Sequence, residues 1–393
     1  MTHALRIAPP AFLEDPALQA VLRALPDARL VGGCVRDALA GRPVADIDLA
    51  TPDPPARVIE RLNAAGLRAV PTGLRHGTVT AVSGGRGFEV TTLRHDVATD
   101  GRHAQVAFTD DWHADAARRD FTINARSMTP DGQVYDDHDG LADLRDGRVR
   151  FVGDPATRIA EDYLRILRFF RFHARFGRGA PDTAALEAIR NAVPGLARLS
   201  AERVWSELKR ILEACDPAGA VALMAACGVL PAVLPEGSDP AALARLLASS
   251  APPDPLLRLA ALLTGDAAAF AERLRLSTAE REFLVAARVP EIPVGDDDAA
   301  LRRWLADTPK PALIGRIWLA GGDEALVHRL EAMAVPVFPL RGRDLERTGV
   351  PAGPEMGTLL RTLRDRWLAG GCVAGATELL QWVEILTARP AKL

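Results

Sequence analysis

Two aspartates two residues apart, Asp46 and Asp48 in ADIDLAT, are the residues whose spacing points most directly to chemistry. On an extended strand, side chains two apart project from one face, so a strand over 45–50 presents both carboxylates together. Adjacent carboxylates repel, and each resists ionisation unless a cation lies between them. Magnesium suits such a pair, because it takes oxygen ligands and shares them with substrate phosphates. Asp-x-Asp is also common in surface turns, so its neighbours have to decide. Upstream, LVGGCVRDALAG sets Gly32 and Gly33 between a short apolar run and a helical segment. Glycine lets a ligand approach the backbone, and a helix start offers N–H groups to an anion. Arg36, in the first turn, adds a forked donor for a phosphate. A tight packed turn is the commoner cause of Gly-Gly on its own. Two glycines, Arg36 and the aspartate pair within 17 residues form a sharper coincidence. Glu89 in FEVTTLR offers a third carboxylate, opposite Phe88, Val90 and Thr92. It either completes a two-metal site for in-line attack on an α-phosphate or is a solvent-facing strand residue.

These side chains need a sheet to hold them. The pattern predicts strands at 29–31, 45–50, 78–82 and 88–93, with helices over 34–40 and 54–65 and a turn at Gly84-Gly85. Residues 94–116 are polar, rich in His and Asp and without period, and read as a long mobile loop. After Gly153 strand signals fade. Asp154-Pro155 combines an N-cap with proline at the first helical position, and one long amphipathic helix is expected from there to Phe176, stopped by Gly177. Ala/Leu/Arg-rich segments divided by Pro and Gly then predict a succession of helices as far as 387. The expected fold is α+β: a small mixed-sheet head (1–152), then an all-helical neck (153–228) and an all-helical body (229–393).

GGCVRD, DIDLAT, FEVTTLR, ARRDFTINA and AEDYLRILRFFRF, in that order and spacing, resemble the class II branch of tRNA nucleotidyltransferases and bacterial poly(A) polymerases. The strong part of the resemblance covers 29–215; the body resembles the family through PLRGRDLERTGVPAGPEMGTLL. The resemblance implies a nucleotidyltransferase head with Asp46 and Asp48 as metal ligands and Glu89 as the family's strand acid. It also implies a ribose-reading role near Arg119 and Asp120, with Asn124 in the same nucleotide-binding group. By residue chemistry alone, Asp120 is equally an N-cap for a short helix over 121–128. The segment 94–112 occupies the place of the family's flexible loop, associated with the switch from CTP to ATP, and its DGRH is close to the usual pattern.

Glu161, Asp162, Arg165 and Arg168 lie at helical spacings and share a face if the helix is continuous. They are either ordinary ion pairs or a reading head for a base. Cytosine and adenine each present an amino donor beside an unprotonated ring nitrogen. A carboxylate (Asp162) accepts from the amino group while a guanidinium (Arg165) donates to the ring nitrogen. Guanine and uracil present a carbonyl beside a ring N–H, which mismatches both partners. The resemblance assigns this role to the intact EDxxR, with Glu161 positioning the arginine. RLSAERVWSELKRIL then reads as scaffolding, with Ser200 as N-cap and Arg203–Glu207 as an i,i+4 pair.

A chain of 393 residues, 48% hydrophobic and 25% charged, suits a soluble multidomain protein. No apolar run approaches the roughly 20 residues that cross a bilayer, and MTHALRIAPPAFLED has no signal-peptide pattern, so the expected location is cytoplasmic with no membrane partner. Cys34, Cys215, Cys227 and Cys372 form no CxxC pair and read as buried free thiols. His95-Asp96 and His138-Asp139 lack the helical context of HD phosphohydrolase chemistry. Net charge is −3, yet nine arginines between 145 and 178 face four acids: by composition alone a solvated helix face with salt bridges, or else a stripe able to follow a phosphate backbone. The expected activity is addition of C, C and A to the 3′ end of tRNA from CTP and ATP with Mg2+. Partial (CC or A) addition and poly(A) synthesis are the alternatives within the family, and a non-catalytic tRNA-binding protein is the alternative outside it. An intact loop and EDxxR favour the first, and the lack of a basic C-terminal extension speaks against poly(A) synthesis. GRDLERTGVPAGPEMGTLL, with Gly-Pro at a helix start and arginines following, is an expected backbone-phosphate contact or a packed helical turn.

Overall fold

Among the described residues the strands all lie before Asp137. The computed structural model describes residues 3–99, 104–293 and 297–387, and among these ten strands form. They are β1 (His3–Arg6), β2 (Arg29–Val31), β3 (Asp48–Thr51), β4 (Arg68–Gly73), β5 (Thr78–Ser83), β6 (Arg86–Thr92), β7 (Arg94–Thr99), β8 (Ala104–Phe108), β9 (Arg126–Met128) and β10 (Gln133–Asp136). Eight of them form one mixed sheet in the order β1-β10-β9-β2-β3-β6-β5-β4. Only β3 and β6 run parallel within it; the other neighbours are antiparallel.

Alternation sets which face is buried. Val79 and Ala81 on β5 and Phe88 and Val90 on β6 point into the core, while Glu89 is exposed. Helix α1 (Pro16–Ala24) packs on β5, and α3 (Pro55–Ala64) on β4 and β5. Leu18, Leu22, Val58 and Leu62 close this core, each contributing about 1.5–3 kcal/mol by full burial. Helix α2 (Gly33–Leu39) follows β2 directly.

Four segments depart from the sequence expectation. The strand expected over 45–50 begins only at Asp48, because β2 ends at Val31, the residue opposite Asp48, and leaves 45–47 no ladder partner. The expected loop from 94 to 116 contains the antiparallel pair β7–β8 and then α4 (Trp112–Ala117), capped by Asp111. A two-stranded ladder outside the main sheet is held by backbone hydrogen bonds and needs no apolar alternation, hence its silence in the sequence. The DGRH tetrapeptide (100–103) lies outside the described residues. The short helix expected after Asp120 is a single 3-10 turn, Thr122–Asn124, since residues 126–128 are drawn into the sheet between β2 and β10.

The fourth departure matters most for the site. After α5 (Gly140–Asp146), the expected 154–176 helix is two helices, α6 (Pro155–Glu161) and α7 (Leu164–Phe176). Asp162 is extended between them, with φ −156° and ψ 107°. Helices α8 (Thr183–Ala192) and α9 (Ala201–Leu212) pack on α6 and α7 respectively. An aromatic cluster fixes α7 to the sheet: Phe121 lies 4.8 Å from Phe151 and 5.3 Å from Phe172, and Phe151 stacks on Phe169 at 5.9 Å.

The chain divides into two compact units, Met1–Pro235 and Glu236–Leu393, so the expected head (1–152) and neck (153–228) both lie in the first. The second is a series of helices from Pro240 to Thr387. Asp239, Asp254, Asp266, Asp297 and Asp323 each cap a helix with the side chain, worth about 1 kcal/mol apiece. Gly353-Pro354 starts its helix as expected. Among the described residues no helix is long and apolar enough to cross a membrane.

Candidate active site

Gly32 turns the chain out of β2 with φ +68° and ψ −123°, a conformation that residues with a Cβ rarely adopt. A Cβ there would lie 3.3 Å from a guanidinium nitrogen of Arg119. Around this turn an open cavity of about 990 Å3 brings together Gly32, Gly33, Arg36, Asp46, Asp48, Arg119, Asp120, Asn124, Asp162, Arg165 and Arg168. Glu89 and Glu161 are not on its wall.

Asp48 is half-buried at the start of β3, and Asp46 is exposed in the irregular segment before it. Glu89 sits directly across the parallel ladder from Asp48. Burial pushes the Asp48 carboxyl above the usual carboxylate range; Glu89 and Asp46 push the same way, against Arg119. Among the described residues no ion pair engages Asp46 or Asp48, and no three His, Cys, Asp or Glu side chains converge on one metal position. Glu89 therefore neighbours Asp48 without completing a three-carboxylate group. Two oxygen ligands with uncompensated charge fit a hard divalent cation that takes its remaining ligands from phosphate and water.

Arg36 is buried and already engaged. Its Nε and Nη2 each donate to Asp37 at 3.0 Å, and Nη1 donates to Asn124 Oδ1 at 2.7 Å. The fork expected to meet a phosphate is thus filled by Asp37, and Arg36 anchors α2 to the 3-10 turn. Asn124 Nδ2 in turn donates to Asp120 Oδ1 at 3.0 Å, and Arg168 Nε donates to Asp120 Oδ2 at 2.8 Å. Burial alone would raise the Asp120 carboxyl, but Arg168 and the Asn124 bond hold it below the usual range. The chain of charges continues through Glu207, which receives Arg171 at 3.2 Å. Burial drives Arg171 down to about 10. Arg119 is steered by Asp115, a buried carboxylate that receives Arg119 at 3.0 Å and Arg118 at 2.9 Å.

The break between α6 and α7 is stabilised by Asp162 itself. Oδ1 accepts from the Leu164 N–H at 3.1 Å, capping α7, and Oδ2 accepts from Arg203 Nη2 at 2.6 Å. Arg165 Nη1 pairs with Glu161 and donates to the Arg158 carbonyl at 2.8 Å. Glu161 also receives Arg158 at 3.1 Å. Asp162 thus leaves the helical face expected of it, while Arg165 stays in the first turn of α7, and both line the cavity.

Sequence reasoning missed Arg203, Asp37 and Asp115. Arg203 and Glu207 do not pair with each other; packing of α7 on α9 sends Arg203 to Asp162 and Glu207 to Arg171. Ser200 occupies the N-cap position of α9 without a side-chain bond. Of the cysteines, Cys34, Cys227 and Cys372 are buried, and Cys215, expected to be buried, is exposed at the cavity rim.

A mixed sheet with Asp48 at the start of β3 and Asp46 just before it, joined to helices that complete an arginine-rich cavity, is the arrangement of a nucleotidyltransferase head and neck. Residues 28–150 match the Poly A polymerase head domain, and 180–239 match the probable RNA and SrmB-binding site of polymerase A. The mitochondrial CCA tRNA nucleotidyltransferase 1 of Mus musculus is 38% identical over 373 residues, covering 91% of this chain and 86% of its own length. The CCA-adding enzyme of Streptococcus pyogenes serotype M2 is 40% identical over 214 residues, 54% of this chain and 52% of that enzyme. The Bacillus stearothermophilus CCA-adding enzyme in complex with CTP matches with a TM-score of 0.75 and 26% identity, over 95% of this chain and 98% of that one. This chain is an enzyme of the CCA tRNA nucleotidyltransferase family. Nucleotidyltransferases of this family generally use divalent metal ions.

Proposed function

We propose that this enzyme adds C, C and A to the 3′ end of tRNA from CTP and ATP, with Mg2+ held by Asp46 and Asp48. The observation that carries the reading is a single cavity wall on which the aspartate pair and the Asp162–Arg165 pair both lie. Bound there, the cation would draw charge from the phosphates and favour attack of the tRNA 3′ hydroxyl on the α-phosphate, with the α–β bond breaking and pyrophosphate leaving. The remaining work falls to side chains. Asp162, fixed by Arg203 and by its cap on α7, keeps lone pairs free to accept from the amino group of C or A. Among the described residues the bonds of Arg165 use Nη1, so the rest of its fork is available to the ring nitrogen. Glu161 and the Arg158 carbonyl hold the guanidinium by its Nη1. Uracil and guanine would leave Asp162 facing a carbonyl, a mismatch that buried polar sites reject strongly. Asp120, kept ionised by Arg168, has both oxygens occupied by Arg168, Asn124 and the Phe121 N–H. Its part is to position Arg168 and Asn124 on the cavity wall rather than to offer a free acceptor to a ribose hydroxyl. Arg119, beside Gly32, is a cation whose charge acts on Asp48.

Full CCA addition is favoured over the partial and poly(A) alternatives because the C/A-reading pair is complete. A cytoplasmic site of action belongs to the same reading. With each nucleotide supplied singly to a tRNA lacking its CCA end, CTP should be incorporated and UTP and GTP should not. Comparable use of UTP would sink the base-reading assignment.

A further inference from the structure

The C-terminal ends of α2 and α7 gather arginines around one aromatic ring. The guanidinium carbons of Arg36, Arg42 and Arg175 lie 4.7, 4.5 and 5.5 Å from the centroid of Phe176, and Arg178 follows two residues on. The carboxylate facing them is Asp37. Its two oxygens take the Arg36 fork at 3.0 Å, and Arg175 approaches at 3.6 Å. Arg42 and Arg178 donate instead to main-chain carbonyls, Arg42 to that of Arg175 at 2.7 Å and Arg178 to that of Arg145 at 2.8 Å. Such bonds orient a guanidinium without neutralising it. Asp146, near Arg178, already receives Arg145 at 2.9 Å and Arg148 at 3.3 Å.

Arg42, Arg175 and Arg178 are exposed, so their charge meets solvent. Burial, then the like charge of Arg175, with Arg36 and Arg178 adding to it, holds Arg42 below the ordinary guanidinium value against Asp37. Arg42 and Arg175 line the cavity of the aspartates and also a second cavity of about 910 Å3, which Arg145 and Arg178 line too, against Asp139 and an Asp136 occupied by the Gly140 and Leu141 N–H groups. Neither Gly32, Asp46 nor Asp48 touches that second cavity. The positive strip therefore starts at the active site and continues beyond where a nucleotide triphosphate bound at the aspartates would lie. A strip of like charge at a cavity mouth concentrates and orients an extended polyanion.

We propose that Arg42, Arg175 and Arg178 form a phosphodiester-binding strip for the RNA strand whose 3′ end is extended, a reading that rests on the tRNA-extending function above. The shared chemistry is phosphate; the alternative source is the triphosphate of the incoming nucleotide. Full-length protein carrying Arg42→Glu or Arg42→Lys is compared with the unaltered chain for binding of a tRNA lacking CCA and, separately, of CTP, across a salt series. Arg42→Glu should weaken tRNA binding about tenfold at low salt and flatten the slope of log affinity against log salt by about 0.7–0.9. Arg42→Lys, which keeps the charge but not the stacking fork, should restore most of the affinity and the slope. CTP affinity should fall by less than tRNA affinity, since Arg42 lines the cavity of the aspartates as well as the second one. The proposal is overturned if tRNA affinity and slope are unchanged in Arg42→Glu. It is equally overturned if CTP affinity falls while tRNA affinity holds, or if both variants lose tRNA binding together with thermal stability, the mark of a packing role. Failure of the tRNA-extending function shows separately, as an unaltered chain that leaves the tRNA at its original length, because the strip is judged on binding alone.

Discussion

Replacing Arg203 by alanine removes the 2.6 Å contact that holds one oxygen of Asp162. The two side chains are 30% and 25% exposed, so solvent screens part of the interaction. A hydrogen bond to a charged group contributes about 1.5–3 kcal/mol; with that screening we take roughly 1–2 kcal/mol for holding Asp162 in its reading position. The cap from Leu164 remains, so Asp162 loses one of two restraints rather than both. At about 1.4 kcal/mol per factor of ten, use of CTP should fall about 5- to 30-fold in kcat/KM. UTP should fall less or rise, because a carboxylate free to rotate away no longer confronts its carbonyl. The assay is steady-state incorporation of CTP and UTP, each alone, into tRNA lacking its CCA end, with a melting curve for each protein. Equal losses for CTP and UTP would refute the reasoning and leave Arg203 as a strut between α7 and α9. Arg203→Lys, which keeps charge but loses the fork, should fall between the two.

Other substitutions test other parts of the site. Asp48→Asn should abolish turnover while tRNA binding is retained, and turnover that survives would remove Asp48 from the metal pair. The same variant has a stability signature. Because the folded-state carboxyl of Asp48 is raised, the native chain holds more protons than the unfolded one between the two values, so stability falls as pH rises through them. Asp48→Asn should therefore raise Tm at pH 7 and have little effect near pH 3, and added Mg2+ should raise the Tm of the unaltered chain but not of the variant. Asp120 has the opposite sign: held below the usual range by Arg168 against its burial, it stabilises above the unfolded value and loses that contribution as pH falls through the folded one. Asp120→Asn should cost about 3 kcal/mol at pH 7, shrinking towards pH 3, as read by denaturant unfolding. Gly32→Ala forces a Cβ onto φ +68° beside Arg119; a loss of about 1–3 kcal/mol is expected, with weaker CTP binding, and a neutral outcome would show the turn to be relaxed.

Local signals carried much of the fold. Period-two alternation marked β5 and β6, Asp-Pro marked the start of α6, and Pro and Gly dividing Ala/Leu/Arg-rich segments marked the helices beyond Pro240. What local signals missed was set by contacts distant in sequence. No Gly or Pro stands at Asp162 or Tyr163, so nothing there announced that the 154–176 helix breaks. The break is stabilised by Arg203, 41 residues away, and by a cap that forms only once the bend exists. Arg36 looked like a phosphate ligand because its partners, Asn124 and the adjacent Asp37, which helical spacing does not mark as a pair, are visible only in three dimensions. Arg203 and Glu207 had the right spacing to pair, yet Arg203 pairs with Asp162 in the break before α7 and Glu207 with Arg171 on α7. The aspartate pair was legible because chemistry, rather than packing, dictates its spacing, although only Asp48 lies in the strand expected to hold both.

The most direct test follows the product itself. Full-length protein with Mg2+, tRNA ending before its CCA, and both CTP and ATP should give a single extended species whose added sequence is C, C, A, with CTP alone stopping after two residues. Long A tails, extension that stops short of A when both nucleotides are present, or no extension at all would contradict an enzyme whose Asp162–Arg165 wall reads C and A beside the Asp46–Asp48 pair.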